Sequence, residues 1–410
     1  MKTCGLLGRK LTHSYSPMLH EAFGMGYTYG LFEVEPEDLP QFMERGNFHG
    51  LNVTIPYKKD VMSFCQDLSP TAREIGCINT IVRQPGGGLF GHNTDGTGFL
   101  AMLRQSGINP NGKKIVVLGD GGSSLTVCHV LKQQNAGEII TSSRRGKHNY
   151  DNISDHHDAQ ILVNTTPVGM YPDTGKTLVN LKDFPRLEGV LDLIYNPART
   201  RVLMDAQSLG IPCIGGLPML VGQAAAAAEI FSEGEVAASS AMGILRRRME
   251  NIVLVGMPGC GKTTIGRLLA EKLNRPLIDT DAEIEAAAGK SISKIFQAEG
   301  EDGFRQREIA VLQKYGKESG QIISTGGGCI TRSENYFHLR QNGIVVFITR
   351  GITLLKREGR PLSQSQNLQN MYEARLPHYQ RFADITIQND TTPFEAVEKI
   401  LEEINEATGN

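Results

Sequence analysis

The apolar run Ile252-Val253-Leu254-Val255 leads directly into Gly256-Met257-Pro258-Gly259-Cys260-Gly261-Lys262-Thr263. A strand that opens into G-x-x-x-x-G-K-[ST] leaves the chain few folds to choose from. The backbone N–H groups of such a loop cradle nucleotide phosphates, and the helix that follows turns its positive end toward them. A second, different glycine-rich turn, Gly119-Asp120-Gly121-Gly122-Ser123, follows its own apolar strand at Lys113–Leu118. Two phosphate turns of different kinds predict two nucleotide-using units in one polypeptide.

The length agrees, since 410 residues exceed the usual size of one domain and suit two or three. The net charge is −2, and Arg246-Arg247-Arg248 is the nearest thing to a basic run. It reads as the polar side of a helix, so a nucleic-acid partner is not expected. The seven cysteines are odd in number and form no C-x-x-C pair, which argues against a disulfide framework or a zinc site and for a reducing compartment. No apolar run is long enough to span a bilayer, and none near the N-terminus makes a signal-peptide core. The expectation is a cytoplasmic chain with small-molecule ligands and no membrane partner; its oligomeric state is not written in the sequence.

Alternating apolar residues, stopped by Pro56, predict a strand at Leu51–Ile55, and another is expected at Cys77–Val82. Lys113–Leu118, a helix over about Ser124–Gln134, and Glu138–Ser142 form a βαβ unit, which implies a parallel sheet. Further strands are expected at Ile161–Asn164 and Gly189–Leu193, then helices over Ala224–Phe231 and Val236–Met249. The second half alternates in the same way, with strands at Ile252–Val255, Leu277–Asp279, Gln321–Ser324, Ile344–Ile348 and Ile385–Ile387.

In that half Lys262 should reach the β/γ-phosphates and Thr263 should offer its hydroxyl to Mg2+, with Gly256, Gly259, Cys260, Gly261 and Thr264 completing the ATP loop. Asp279 and Asp281 lie two apart at a strand end, so both carboxylates can face the phosphates. Asp281 also fits the cap of the helix that begins at Ala282, and both readings can hold for one residue. Gly303-Phe304-Arg305, Thr325-Gly326-Gly327-Gly328, Arg360-Pro361-Leu362 and Arg375-Leu376-Pro377-His378-Tyr379 follow in order. Together these motifs resemble shikimate kinase from Asn251 to about Ile404. The resemblance implies that Asp281 contacts the shikimate hydroxyls and that Arg305 and Arg375 bind its carboxylate. Gly326, Gly327 and Gly328 let backbone approach the substrate, and Asp279 and Thr263 serve Mg2+. Arg360, with Arg357 as its partner, belongs to a lid over ATP, which is short here.

In the first half, the chain reads Ser142-Ser143-Arg144-Arg145 where an NAD site would carry a carboxylate, and arginines there suit the 2′-phosphate of NADP. A solvated basic turn is the plain alternative. His13-Ser14-Tyr15-Ser16-Pro17, Asn52-Val53-Thr54-Ile55-Pro56-Tyr57-Lys58, Ile78-Asn79-Thr80, Asn93-Thr94-Asp95-Gly96 and the stretch Gly216–Gln223 occur in that order. They resemble shikimate dehydrogenase over residues 1 to about 249. The residue types fit ketone reduction, with Lys58 supplying a proton and Asp95 holding it. By resemblance Ser14, Ser16, Asn52, Thr54, Asn79, Gln223 and Tyr195 line the substrate site, and His13 is structural. Gly119, Gly121, Gly122, Ser123, Ser143, Arg144, Arg145 and Gly216 serve NADP(H). Asp120 must point away from the pyrophosphate. The short stretch Gly146–Gln160 implies a trimmed sheet, because the family usually fits another helix and strand there.

The expected fold is α/β throughout: a substrate-binding domain over 1–97, with helices of 219–249 packing back on it, a Rossmann-type domain over 98–218, and a P-loop parallel-sheet kinase domain over 250–410. The expected function is a bifunctional enzyme that reduces 3-dehydroshikimate with NADPH and phosphorylates shikimate with MgATP. The alternatives are an NAD-using quinate/shikimate dehydrogenase fused to the kinase, or a metabolite sensor built from two retired enzymes.

Overall fold

The computed structural model describes residues 2–11, 14–355 and 368–408. His13, Arg357 and Arg360 lie outside these described residues. The chain divides into two compact units. The first comprises Met1–Met170, Lys176–Tyr195 and Val202–Leu245, and the second comprises Tyr171–Gly175, Asn196–Arg201 and Arg246–Asn410.

The first unit opens with β1 (Thr3–Gly8), β2 (Thr28–Glu33), β3 (Gly50–Val53), β4 (Asp67–Leu68), β5 (Thr80–Arg83) and β6 (Leu89–His92). They form one mixed sheet in the order β2-β1-β3-β5-β6-β4. Leu7, Leu51, Val53, Tyr57, Ile78 and Ile81 pack into its core. The strand expected at Leu51–Ile55 ends at Val53, and Ile55 is 77% exposed. The strand expected from Cys77 begins only at Thr80, because the Ile78 N–H turns out of the ladder to the Lys58 carbonyl at 2.9 Å.

A second sheet follows, built from β7 (Lys114–Leu118), β8 (Glu138–Ser142), β9 (Ile161–Asn164), β10 (Gly189–Asp192) and β11 (Cys213–Ile214). Its order is β11-β10-β9-β7-β8, with every pairing parallel. Ile115 and Val117 enter one apolar core while Val116 and Leu118 enter another. Both faces of β7 are therefore covered, which is why the strand is an unbroken apolar run and does not alternate. β8 lies to one side of β7 and β9 to the other, so a crevice opens at their carboxyl ends. β8 is an edge strand, and between it and β9 the only regular element is the 3-10 turn Ile153–His156, as the short stretch 146–160 implies. The helix Leu217–Ser232 returns to the first sheet, burying Ala227 and Phe231 against Cys4 of β1.

The second unit holds β12 (Asn251–Val255), β13 (Leu277–Asp279), β14 (Ile322–Ser324), β15 (Gly343–Thr349) and β16 (Ile385–Gln388), all parallel, in the order β13-β14-β12-β15-β16. β12 is buried along its whole length. Asn196–Arg201 belongs to this unit through the start of β15: the Ala198 N–H donates to Asn342 Oδ1 at 3.1 Å, and the Arg199 guanidinium donates to the carbonyls of Arg340 and Gly343 at 3.0 and 2.9 Å. Among the described residues no helix is long and apolar enough to cross a membrane, and all seven cysteines are free.

Candidate active sites

The crevice at the carboxyl end of β7 is closed by Gly119, whose φ of +107° suits only glycine, and a Cβ there would lie 2.6 Å from Thr165 Oγ1 after β9. The helix Gly122–Gln133 then starts with its N–H groups facing the crevice. Asp120 is exposed, and so are Arg144 and Arg145 after β8, while Ser143 is buried with its N–H on the His148 carbonyl at 3.0 Å. Gly216 caps the helix Leu217–Ser232.

Lys58, in the turn after β3, places Nζ 2.5 Å from Asp95 Oδ2 at the first residue of the helix Asp95–Ser106. Their side chains are 15% and 3% exposed, so this is not a solvated surface pair. The ammonium is aimed by a buried carboxylate, as a proton donor to a developing alkoxide must be. A Cβ on Gly122 would lie 3.7 Å from Lys58 Cδ, so the glycine-rich turn abuts Lys58.

Polar side chains surround this pair. Asn79 Nδ2 donates to Thr94 Oγ1 and to Gln223 Oε1, both at 3.0 Å. Asn52 Nδ2 donates to Thr80 Oγ1 at 3.2 Å, and Tyr29 donates to Asn52 Oδ1 at 2.7 Å. Ser14 Oγ accepts the Ser16 N–H at 3.2 Å, and Thr54, two residues after Asn52, is half-buried. Tyr195 meets Tyr15 edge-on at 6.0 Å, and burial raises its hydroxyl pKa. Thr80, Thr94 and Tyr29 are parts of this network that motif reading does not single out.

In the second unit the strand ends converge on one cavity of about 570 Å³. Gly259, Gly261, Lys262, Thr263 and Thr264 line one side, and Asp281, Arg305, Arg375 and the Gly326–Gly328 run line another, with Asp279 between. Gly256 has φ +149°, and a Cβ there would meet the Ile348 carbonyl at 2.4 Å, so the loop can begin only with glycine. Lys262 is buried, with Nζ donating to the carbonyls of Gly256 and Met257 at 2.8 and 3.1 Å. Cys260 is fully buried, so only its backbone can meet a nucleotide. Thr263 Oγ1 donates to Asp279 Oδ2 at 3.1 Å and lies 3.4 Å from Ser324 Oγ. These hard oxygen donors, with waters and phosphate oxygens to complete the shell, fit Mg2+.

The cap of the helix Thr280–Ala288 is Asp279, not Asp281: Asp279 Oδ1 accepts the N–H groups of Asp281 and Ala282 at 3.1 and 3.4 Å. The strand ends at Asp279 as expected, but the helix begins at Thr280, two residues earlier than a cap at Asp281 would need. Asp281 Oδ1 is buried with no hydrogen-bond partner, and burial, then the Asp279 charge, raises its pKa. Such a carboxylate is suited to take a hydroxyl proton. Arg305 Nη1 donates to Glu308 Oε2 at 2.8 Å, and Arg375 Nη1 donates to the Gly327 carbonyl at 3.2 Å. Glu308 is fully buried, its Oε1 has no partner, and burial pushes its pKa up to about 7 despite Arg305. Glu308 is absent from the motif reading, although its spacing of three from Arg305 puts both on one helix face.

Comparison with known proteins matches a family in each half of the chain. The family model for the shikimate dehydrogenase substrate binding domain matches residues 6–81, and the model for shikimate kinase matches residues 258–405. A shikimate dehydrogenase (NADP(+)) of Syntrophomonas wolfei is 36% identical, covering 55% of this chain and 88% of its own. That of Clostridium beijerinckii is 38% identical, covering 57% and 93%. The crystal structure of a chorismate mutase/shikimate 5-dehydrogenase fusion protein from Clostridium acetobutylicum superposes with a TM-score of 0.56 at 34% identity, over 60% of this chain and 97% of that one.

Proposed function

The chain belongs to the shikimate dehydrogenase family and continues into a shikimate kinase domain, and from that premise we propose that one polypeptide reduces 3-dehydroshikimate to shikimate with NADPH and then phosphorylates shikimate with MgATP. The observation that carries this reading is that each phosphate turn has its own adjoining set of acid, base and anion-binding side chains. We assign 1–97 with 219–249 to substrate binding, 98–218 to the dinucleotide, and 250–410 to the kinase.

In the first reaction NADPH, when bound, supplies a hydride to the ketone carbon. Lys58 gives a proton from Nζ to the oxygen as it becomes an alkoxide, and Asp95 stabilises and aims the ammonium. Arg144 and Arg145 meet the 2′-phosphate, while Asn52, Asn79 and Gln223 orient the ring. In the second reaction Asp281 takes the proton from the attacking hydroxyl, and Lys262 moves from its loop carbonyls to the transferring phosphate. Arg305 and Arg375 hold the substrate carboxylate with planar donors. Thr263 and Asp279 would hold Mg2+, which supplies charge neutralisation on the phosphates.

The test is a two-signal assay on the full chain. NADPH should be consumed once 3-dehydroshikimate is added, and ADP should appear only after ATP follows. NADPH oxidation without ADP would remove the kinase half of the proposal. Faster turnover with NADH than with NADPH would favour the NAD-using alternative and reassign Arg144 and Arg145 to the solvent.

Glu308 adds a pH dependence. Below about pH 7 it is protonated and leaves the Nη1 arm of Arg305 to a ligand carboxylate, while Nη2 stays on Glu301 at 3.1 Å; above that value the Glu308 carboxylate competes. Anion binding then favours proton uptake, so the kinase KM for shikimate should fall as pH drops from about 8 to about 6. Glu308→Gln should flatten that profile, and steady-state kinetics across the range would check both.

A further inference from the structure

The polar wall of the dehydrogenase pocket is a chain of hydrogen bonds whose direction is set link by link. The backbone N–H of Thr94 donates to Asn79 Oδ1 at 2.7 Å, which settles which end of that amide faces it. Asn79 Nδ2 is left to donate to Thr94 Oγ1 and Gln223 Oε1. The Thr80 hydroxyl has one proton, Asn79 Oδ1 at 3.1 Å can only accept it, and the 3.1 Å contact with Thr94 Oγ1 can run in either direction. At its third contact it therefore accepts, from Asn52 Nδ2 at 3.2 Å. That turns Asn52 Oδ1 to the Tyr29 hydroxyl, which donates at 2.7 Å.

Tyr29 is itself held in place. Its ring stacks on His20 at 3.8 Å between centroids and 8° between planes. His20 is 3% exposed and burial lowers its pKa to about 3, so the imidazole is neutral, and its Nδ1 bonds the Tyr27 hydroxyl at 2.6 Å. The consequence for the pocket is a matter of polarity. With both amide oxygens engaged, Gln223 has its NH2 group to offer and Asn52 one further N–H, with the buried His20 also within reach of that amide. That side of the pocket carries donors, and it fits a ligand whose ketone, hydroxyl and carboxylate oxygens supply lone pairs.

We propose that Tyr29 is a positioning residue of the dehydrogenase site, which locks the Asn52 amide so that an N–H, not the carbonyl oxygen, meets the substrate. The inference rests on the reading of this pocket as the 3-dehydroshikimate site. Tyr29→Phe keeps the stacking on His20 and removes only the hydroxyl, leaving the Asn52 amide free to turn over.

The experiment is a double-mutant cycle on the full chain with Tyr29→Phe, Asn52→Ala and both together, reading KM and kcat for 3-dehydroshikimate separately. Tyr29→Phe should raise KM roughly 5- to 10-fold, the size of one misdirected hydrogen bond, with kcat changed less than about 2-fold. In the Asn52→Ala background the same change should move KM less than about 2-fold. A KM rise of equal size in both backgrounds would show that the Tyr29 hydroxyl acts through a group other than Asn52, such as Ser16, and would overturn the proposal, as would no rise at all or a matching loss in kcat. Asn52→Asp gives an independent arm, since it presents an acceptor where a donor is needed. It should bind worse than Asn52→Ala; binding at the unmodified level would overturn the donor assignment. If Asn52→Ala leaves KM unchanged, the pocket reading itself fails, which is distinct from Tyr29 failing within it. Thermal unfolding and ADP release by the same variants report whether each chain is folded.

Discussion

Replacing Lys58 by methionine should lower NADPH-dependent turnover on the order of 10³-fold, the range lost with a positioned proton donor, and leave ATP-dependent turnover within about 2-fold. The Lys58–Asp95 pair is buried at 2.5 Å, so the change has two parts. One is the missing acid; the other is a carboxylate, 3% exposed, without its counter-charge. Removing one partner of a buried pair typically costs about 3–5 kcal/mol, so part of the loss in a single variant is stability. Lys58→Met with Asp95→Asn removes both charges and separates the two effects. Its unfolding midpoint should recover toward that of the unmodified chain while reductase turnover stays low. Recovery of turnover in the double variant would show that Lys58 holds the fold and does not deliver the proton.

Replacing Lys262 by methionine should have the reverse outcome, with ADP release down on the order of 10³-fold, comparable to losing a preorganised charge at a transition state, and reductase turnover kept. Nζ now lies on the carbonyls of Gly256 and Met257, at the mouth of the cavity that also holds Asp281 and Arg305. The change leaves two backbone carbonyls without a donor and takes a favourable nearby charge from Asp281, but it breaks no direct ion pair. Its effect on stability should therefore be smaller than that of Lys58→Met, and calorimetry on the two variants would compare them. If either substitution abolished both activities, the sites would not be independent.

Much of this was legible in the sequence, and the reasons are physical. β7 and β12 announce themselves because a parallel strand covered on both faces is apolar at every position, and because only glycine can turn the chain after it. Lys262 sits next to one of those signals, whereas Lys58, Asp95, Arg305 and Arg375 lie far from both and are singled out only through motifs that resemble the two families. β2 was harder. Its burial alternates irregularly, with Thr28 and Leu31 exposed, because it is an edge strand whose identity depends on pairing with β1 across a helix. The cap at Asp279 turned on where the helix after β13 starts, at Thr280 and not two residues later. Tyr29 carries no motif; it matters only through Asn52, which is 23 positions away in the chain. Glu308 is different again, since its three-residue spacing from Arg305 was there to be read.

Asp279 binds two backbone N–H groups with one oxygen and faces the Thr263 hydroxyl with the other. Losing it would unpin the start of a helix as well as remove the proposed Mg2+ position, with the cap alone contributing about 1 kcal/mol. A descendant of this gene relieved of selection for phosphoryl transfer would therefore keep Asp279 long after Lys262 and Arg375 had drifted. Persistence of that aspartate in a relative is a record of folding, and only the lysine and arginine testify that the relative still turns over ATP.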